Sequence, residues 1–289
     1  MDRKNNIGRE EQTELWPELP YEAWKDTYET LHMWTQIVGK VRLELSPHVN
    51  HWWQVPLYVT ARGLTTSPIP YKNGIFEVIF DFINHNLLIL TSDGTAKALP
   101  LLARSVADFY QEFMAALRAL DIEIRINTVP CEVANPIPCD QDNVHASYDP
   151  AYVHRFWHIL VQTDKVLKEY RSFFIGKSSP VHFFWGSFDL AVTFFSGRRA
   201  PEREGADGIT REAYSHEVIS GGFWPGNEQF KKAAFYSYTA PAPPGLNAAP
   251  LRPGSAFYSR EQSEFFLPYD DVRNAASPEP ALLDFFYST

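Results

Sequence analysis

Cysteine is nearly missing from this chain, which has only Cys131 and Cys139. Two thiols cannot build a disulfide framework or a four-cysteine zinc site. Long apolar runs are missing as well, and no window approaches the roughly 18 consecutive apolar residues of a membrane span. The first residues, Met1 to Glu14, are polar and charged and lack the apolar stretch of a secretory signal. Positive charge is in deficit: 26 Lys and Arg stand against 35 Asp and Glu, a formal net charge of −9. No stripe of Lys and Arg reverses this locally, so nucleic acid is not an expected partner. These absences point to a soluble protein with a cytoplasmic address and no membrane partner.

Aromatic side chains are what the chain has in quantity: 21 Phe, 14 Tyr and 8 Trp among 289 residues. Each ring buries a large area, so some must line a pocket or an internal interface.

Apolar spacing predicts a helix from Tyr21 to Val38, with Trp24, Thr27, Leu31, Trp34 and Val38 on one stripe and Gly39 as its stop. Strands are expected at Val41 to Leu45, His51 to Ala61, Ile75 to Phe82 and Leu87 to Thr91. Ser105 reads as the N-cap of a second helix that buries Val106, Phe109, Phe113, Leu117 and Leu120. The alternating run Ile122 to Ile126 reads as a strand. Asp149-Pro150 is a helix start, and that helix is expected to run to Ile175 before Gly176. A strand cluster follows at His182 to Phe195, then irregular stretches at Gly197 to Thr210 and Ala240 to Ser255. Ser277-Pro278 opens a final helix.

Laid side by side, the two halves share an order of parts. Each has a Trp-containing helix before Gly-Lys (Gly39-Lys40, Gly176-Lys177), then Ser-Pro near a histidine and aromatics, then strands, then Leu-Pro (Leu99-Pro100, Leu267-Pro268) and an aromatic helix. The expected fold class is α+β, a degenerate tandem repeat in which each half is a curved antiparallel sheet packed with amphipathic helices. The expected divisions are a disordered tail at 1–14, a first repeat at 15–128, a Pro-rich linker at 129–148 and a second repeat at 149–289. The halves would pack as one globule about a pseudo-two-fold axis, and ligand sites favour such internal interfaces.

Two motifs are decoys. Gly176-Lys177-Ser178 lacks the upstream glycine of a phosphate-binding loop and follows a helix instead of opening one. His154 and His158 are one helical turn apart, but they lie opposite the apolar stripe, as solvated residues do.

The candidates for chemistry lie in the second half. His182 and Asp189 sit in the apolar run from Pro180 to Phe195, where an unpaired polar group is costly. On a regular strand they face opposite sides, and a bulge at Gly186 would be needed to bring them together. Each either meets a backbone partner or opens onto a pocket. His216 suits a general base or metal ligand, with Glu217 or Glu212 orienting it, beside a loop that can act as a lid. Arg198 and Arg199 suit a clamp on a carboxylate or phosphate. Trp185 and Tyr214 would add aromatic contact to a substrate.

Several strings carry a resemblance. They are His51-Trp52-Trp53 with Leu57-Tyr58, the strand from Ser179 to Thr193, Ser196-Gly-Arg-Arg-Ala-Pro201, and Glu212-Ala-Tyr-Ser-His-Glu217 with Gly222-Phe-Trp-Pro-Gly226. With them the chain, from Trp16 onward, resembles a bacterial domain-of-unknown-function family, DUF5996. The resemblance implies a bacterial cytosolic protein and supplies neither an activity nor catalytic residues. At Phe194-Phe195 the family pattern leads one to expect a basic residue before the last Phe, which weakens an anion clamp on that side.

The residues therefore support two readings. One is an enzyme acting on a small polar or acidic molecule, in a pocket of the second repeat or between the repeats. His182, Asp189, His216 and Glu217 would be its catalytic groups, and a divalent metal would suit His182, His216 and Glu217 as ligands. The other is a non-catalytic binding module with an aromatic-lined groove for a small molecule or a protein.

Overall fold

The structure is a computed structural model that describes residues 15–289. The expected tail at 1–14 lies outside the described residues. The chain is a mixture of helix and sheet, with two antiparallel sheets of six strands each. Among the described residues, no helix is long and apolar enough to cross a membrane.

The first half opens on a long helix, α1 (Tyr21–Leu45). It then forms strands β1 (Tyr58–Thr60), β2 (Gly63–Thr65), β3 (Ile69–Tyr71), β4 (Gly74–Asp81), β5 (Asn86–Thr91) and β6 (Ala96–Pro100). Helix α2 (Val106–Arg118) follows, and the Ser105 hydroxyl caps it by accepting from the Asp108 amide. The sheet runs β1-β2-β4-β5-β6, with β3 also on β4.

The second half opens on α3 (Pro150–Ser172), capped by the Asp149 carboxylate. Its sheet comprises β7 (His182–Phe184), β8 (Asp189–Arg199), β9 (His216–Trp224), β10 (Ala234–Ala240), β11 (Phe257–Ser259) and β12 (Glu264–Pro268). Between β8 and β9 lies the short helix α4 (Gly208–Ala213); α5 (Tyr269–Arg273) and α6 (Pro278–Ser288) end the chain. The order is β7-β8-β9-β10-β12-β11. The two sheets meet where Leu57, just before β1, and Phe183 of β7 exchange two backbone hydrogen bonds of 2.9 Å. One apolar core runs through both halves, from Trp24 and Trp34 to Phe235 and Phe285.

Four expectations are corrected. Helix α1 runs straight through Gly39 to Leu45, so Val41 to Leu45 is helix and not strand. Gly39 is there for a different reason: any side chain at this position would collide with the Trp185 indole. The stretch after His51 is a tight turn at Asn50–Trp52, with only Tyr58–Thr60 as strand. Residues 122 to 126 follow α2 without joining a sheet. The segment 180–195 is likewise not one strand but a hairpin, β7 and β8, turned at 185–188 with Phe188 in left-handed backbone (φ 59°).

Candidate functional site

Strand alternation puts Asp189, Ala191, Thr193 and Phe195 of β8 on one face of the second sheet. The register adds Val218 and Ser220 of β9 and Tyr236 and Tyr238 of β10 to that face. Above it lies a cavity of about 700 Å³. The opposite face carries Leu190, Val192, Phe223 and Phe235 into the core.

Three segments wall the cavity, and α1 holds two of them. The Gln36 side chain pairs with Cys131, donating to its carbonyl at 2.8 Å and accepting from its amide at 2.9 Å. This fixes Cys131 and Glu132, both of which line the cavity, beside the helix. The His32 Nε2 donates to the Gly186 carbonyl at 2.8 Å, and Trp185 Nε1 donates to the Val55 carbonyl at 2.8 Å. These two bonds fasten the 185–188 turn. The third wall is α4 with Tyr214, tied down through Glu212, which accepts from the His51 amide and from His48 Nε2, each at 3.1 Å.

The turn at 50–52 is itself strained. His51 and Trp52 both take left-handed backbone (φ 62° and 61°), a conformation that bulky side chains avoid unless their surroundings enforce it. His51 Nδ1 donates to the Glu212 carbonyl at 3.1 Å, which leaves Nε2 to accept from Lys177 Nζ at 2.7 Å. Burial first, and the Lys177 amine second, hold the His51 pKa below the ordinary histidine value. It is therefore a neutral imidazole in a fixed tautomer.

Asp189 is the centre of the polar floor. It is only 7 % exposed, and its carboxylate oxygens accept from the hydroxyls of Ser187 and Tyr236. Burial pushes its pKa up, and the two hydroxyl bonds offset only part of that rise. The Tyr236 phenol is raised well above its ordinary value, by burial first and by Asp189 second, so it stays protonated and donating. Glu132 is exposed as a residue, but its carboxyl lies against Gly186, where a side chain would strike it. Its pKa is raised by burial and then by Asp189 and Asp207. Glu264, at the start of β12, is pushed up to about 7 by burial and then by Asp189. Further along the floor, the Thr193 and Ser220 hydroxyls bond each other at 2.9 Å.

The residues singled out in the sequence fall into three groups. Asp189, Trp185 and Tyr214 line the cavity. His182 lies on the same face of the sheet, opposite Ala191, because the hairpin turn reverses the chain between it and Asp189. The opposite facing expected of a regular strand therefore does not arise. His182 is enclosed by the rings of Trp53, Tyr58 and Phe184, 1 % exposed, and neither ring nitrogen has a hydrogen-bond partner. Burial, then Arg42 and Arg171, hold it down at about 3.

His216 is not among the lining residues; its ring is 5.8 Å from that of His51 and its Nδ1 3.1 Å from the Ser215 hydroxyl. Glu217, the next residue of β9, points to the other face, where it accepts from Arg198 at 2.7 Å and Ser196 at 2.8 Å. Arg198 and Arg199 are exposed, and neither lines the cavity. His182, His216 and Glu217 thus do not form a common donor set. Among the described residues, no three His, Cys, Asp or Glu side chains gather as a metal site.

Tyr236 and Glu132 are the groups that sequence reading missed. Tyr236 is 47 residues from Asp189 in the chain, and only strand pairing brings them together. Glu132 lies in what reads as a linker, and its left-handed backbone (φ 55°) is invisible to composition.

A family model described as a family of unknown function (DUF5996) matches residues 16–289. No curated protein and no solved structure gives a significant match.

Proposed function

The chain belongs to this family of unknown function, and from the cavity we propose that it is an enzyme that moves a proton on a small polar molecule. The observation that carries this is Asp189, a buried carboxyl on the floor of a 700 Å³ cavity, bonded by two hydroxyls and raised in pKa. A carboxyl raised in this way keeps its proton nearer neutral pH, which suits a general acid that is later a general base. Tyr236 and Ser187 orient it, and a group that reaches Asp189 can exchange a proton with it directly. Two carboxyls with raised pKa beside the 185–188 turn, Asp189 and Glu132, supply an acid and a base. An acidic chain of this kind suits a cytoplasmic address.

We read the two halves as products of an internal duplication. In support, each half orders a helix, an antiparallel sheet and a closing helix, and their first strands, β1 and β7, meet antiparallel. Leu99-Pro100 and Leu267-Pro268 both end the strand before the next helix.

The second reading is a binding module, favoured by the walls of Trp52, Trp53, Phe184, Trp185 and Phe195. One experiment separates the two. The full chain is incubated with an extract of small polar metabolites, and untargeted mass spectrometry compares wild type with Asp189→Asn. An enzyme consumes at least one compound, and the variant slows this by about 10²–10⁴-fold, the usual worth of a general acid–base group. Equal consumption by a variant with unchanged circular dichroism contradicts the assignment. A compound retained but never altered selects the binding module.

A further inference from the structure

The charge of the cavity narrows its ligand. Among the described lining residues there are three carboxylic acids, Asp189, Glu132 and Asp207, and no Lys or Arg. One neighbouring amine, Lys177, sits over the Trp53 and Phe195 rings and donates to His51. It therefore lies at the Phe195 end of β8. Six residues of strand separate Phe195 from Asp189, about 20 Å at the usual rise.

At the Asp189 end no Lys or Arg is among the lining residues, and the cation near them, Arg203, is stacked 3.8 Å over the Tyr214 ring. Asp189 and Glu132 flank the 185–188 turn: Ser187 donates to one, and Gly186 abuts the other. Each carboxylate disfavours ionisation of its neighbour, as the raised pKa of Glu132 and Glu264 shows. Trp185 and Tyr236 line the same space, and aromatic rings attract a cation through their quadrupoles.

We propose that the ligand of this cavity is a primary amine on a flat apolar body, its ammonium held between the Asp189 and Glu132 carboxylates and its body stacked on the neighbouring rings. The inference rests on the reading of this cavity as the protein's functional site and adds the class of its substrate. A bound ammonium favours the ionised form of both acids, so binding draws their raised pKa values down and releases protons wherever they are protonated.

Isothermal titration calorimetry of the full chain with three probes of one shape tests this: phenethylamine, 2-phenylethanol and 3-phenylpropionate. The expected result is phenethylamine binding at least ten-fold more tightly than the alcohol, with no heat from the carboxylate. Asp189→Asn is expected to lose at least ten-fold in amine affinity while leaving the alcohol unchanged. Glu132→Gln, at an exposed position, is expected to move in the same direction. Alcohol or carboxylate binding as tightly as the amine overturns the charge assignment and leaves the cavity as the site. Silence from all three probes overturns the amine proposal, and the metabolite comparison above then decides the cavity separately.

Discussion

Asp189, Glu132 and Glu264 are each held above the ordinary carboxylate range by burial, and the two glutamates also by Asp189. For Glu264 the folded state keeps its proton up to about 7, against an ordinary value of 4.5. The unfolded chain releases that proton earlier. Stability is therefore lost as pH rises through that window, and the loss persists above it. Glu264→Gln removes the ionisable group and should flatten this decline. Thermal melts should show the variant more stable than wild type at pH 8 and equal to it near pH 4.5. A difference that is the same at both pH values would show that Glu264 does not carry the effect. Such groups are tolerated at functional sites because the protonation they impose is part of the chemistry.

The elements that were legible in the sequence are those whose cause is local. Ser105 caps α2, Asp149-Pro150 starts α3 and Ser277-Pro278 starts α6, each through a neighbouring amide or a fixed proline φ. Gly39 misled because its reason is tertiary: it makes room for the Trp185 indole, which lies far along the chain. The hairpin at 185–188 was hidden because apolar residues flank the turn on both sides, and Gly186-Ser187 was its only signal. Gly39→Ala tests the packing argument directly. Alanine gains up to about 1 kcal/mol in helix propensity, but overpacking costs about 1–3 kcal/mol. The net expectation is destabilisation in chemical denaturation, with altered tryptophan fluorescence as Trp185 moves. An increase in stability would mean that the indole is not seated on α1 as described.

At the scale of the molecule, the cavity belongs to neither half alone. Trp52, Trp53 and Glu132 come from the first half or the linker, while Asp189, Tyr214 and Tyr236 come from the second. The apolar core is shared across the same boundary, and the sheets join at Leu57 and Phe183. The α+β character and the positions of α2 and α3 were readable from periodicity. The convergence of Tyr236, Glu132 and Asp189 was not, because it depends on strand order and on loops anchored by His32 and Gln36. Residues 149–289 expressed alone should be insoluble or molten by near-ultraviolet circular dichroism, and co-expression with residues 15–148 should restore folding. A second half that folds cooperatively by itself would contradict the shared core.

The central claim is that Asp189 is a desolvated carboxyl waiting on the cavity floor, and carboxyl ¹³C NMR titration, with Asp189→Asn for assignment, tests it most directly. The account predicts a midpoint above 3.8, the ordinary aspartate value, that falls when phenethylamine is added. A midpoint at or below that value, indifferent to the amine, would contradict it.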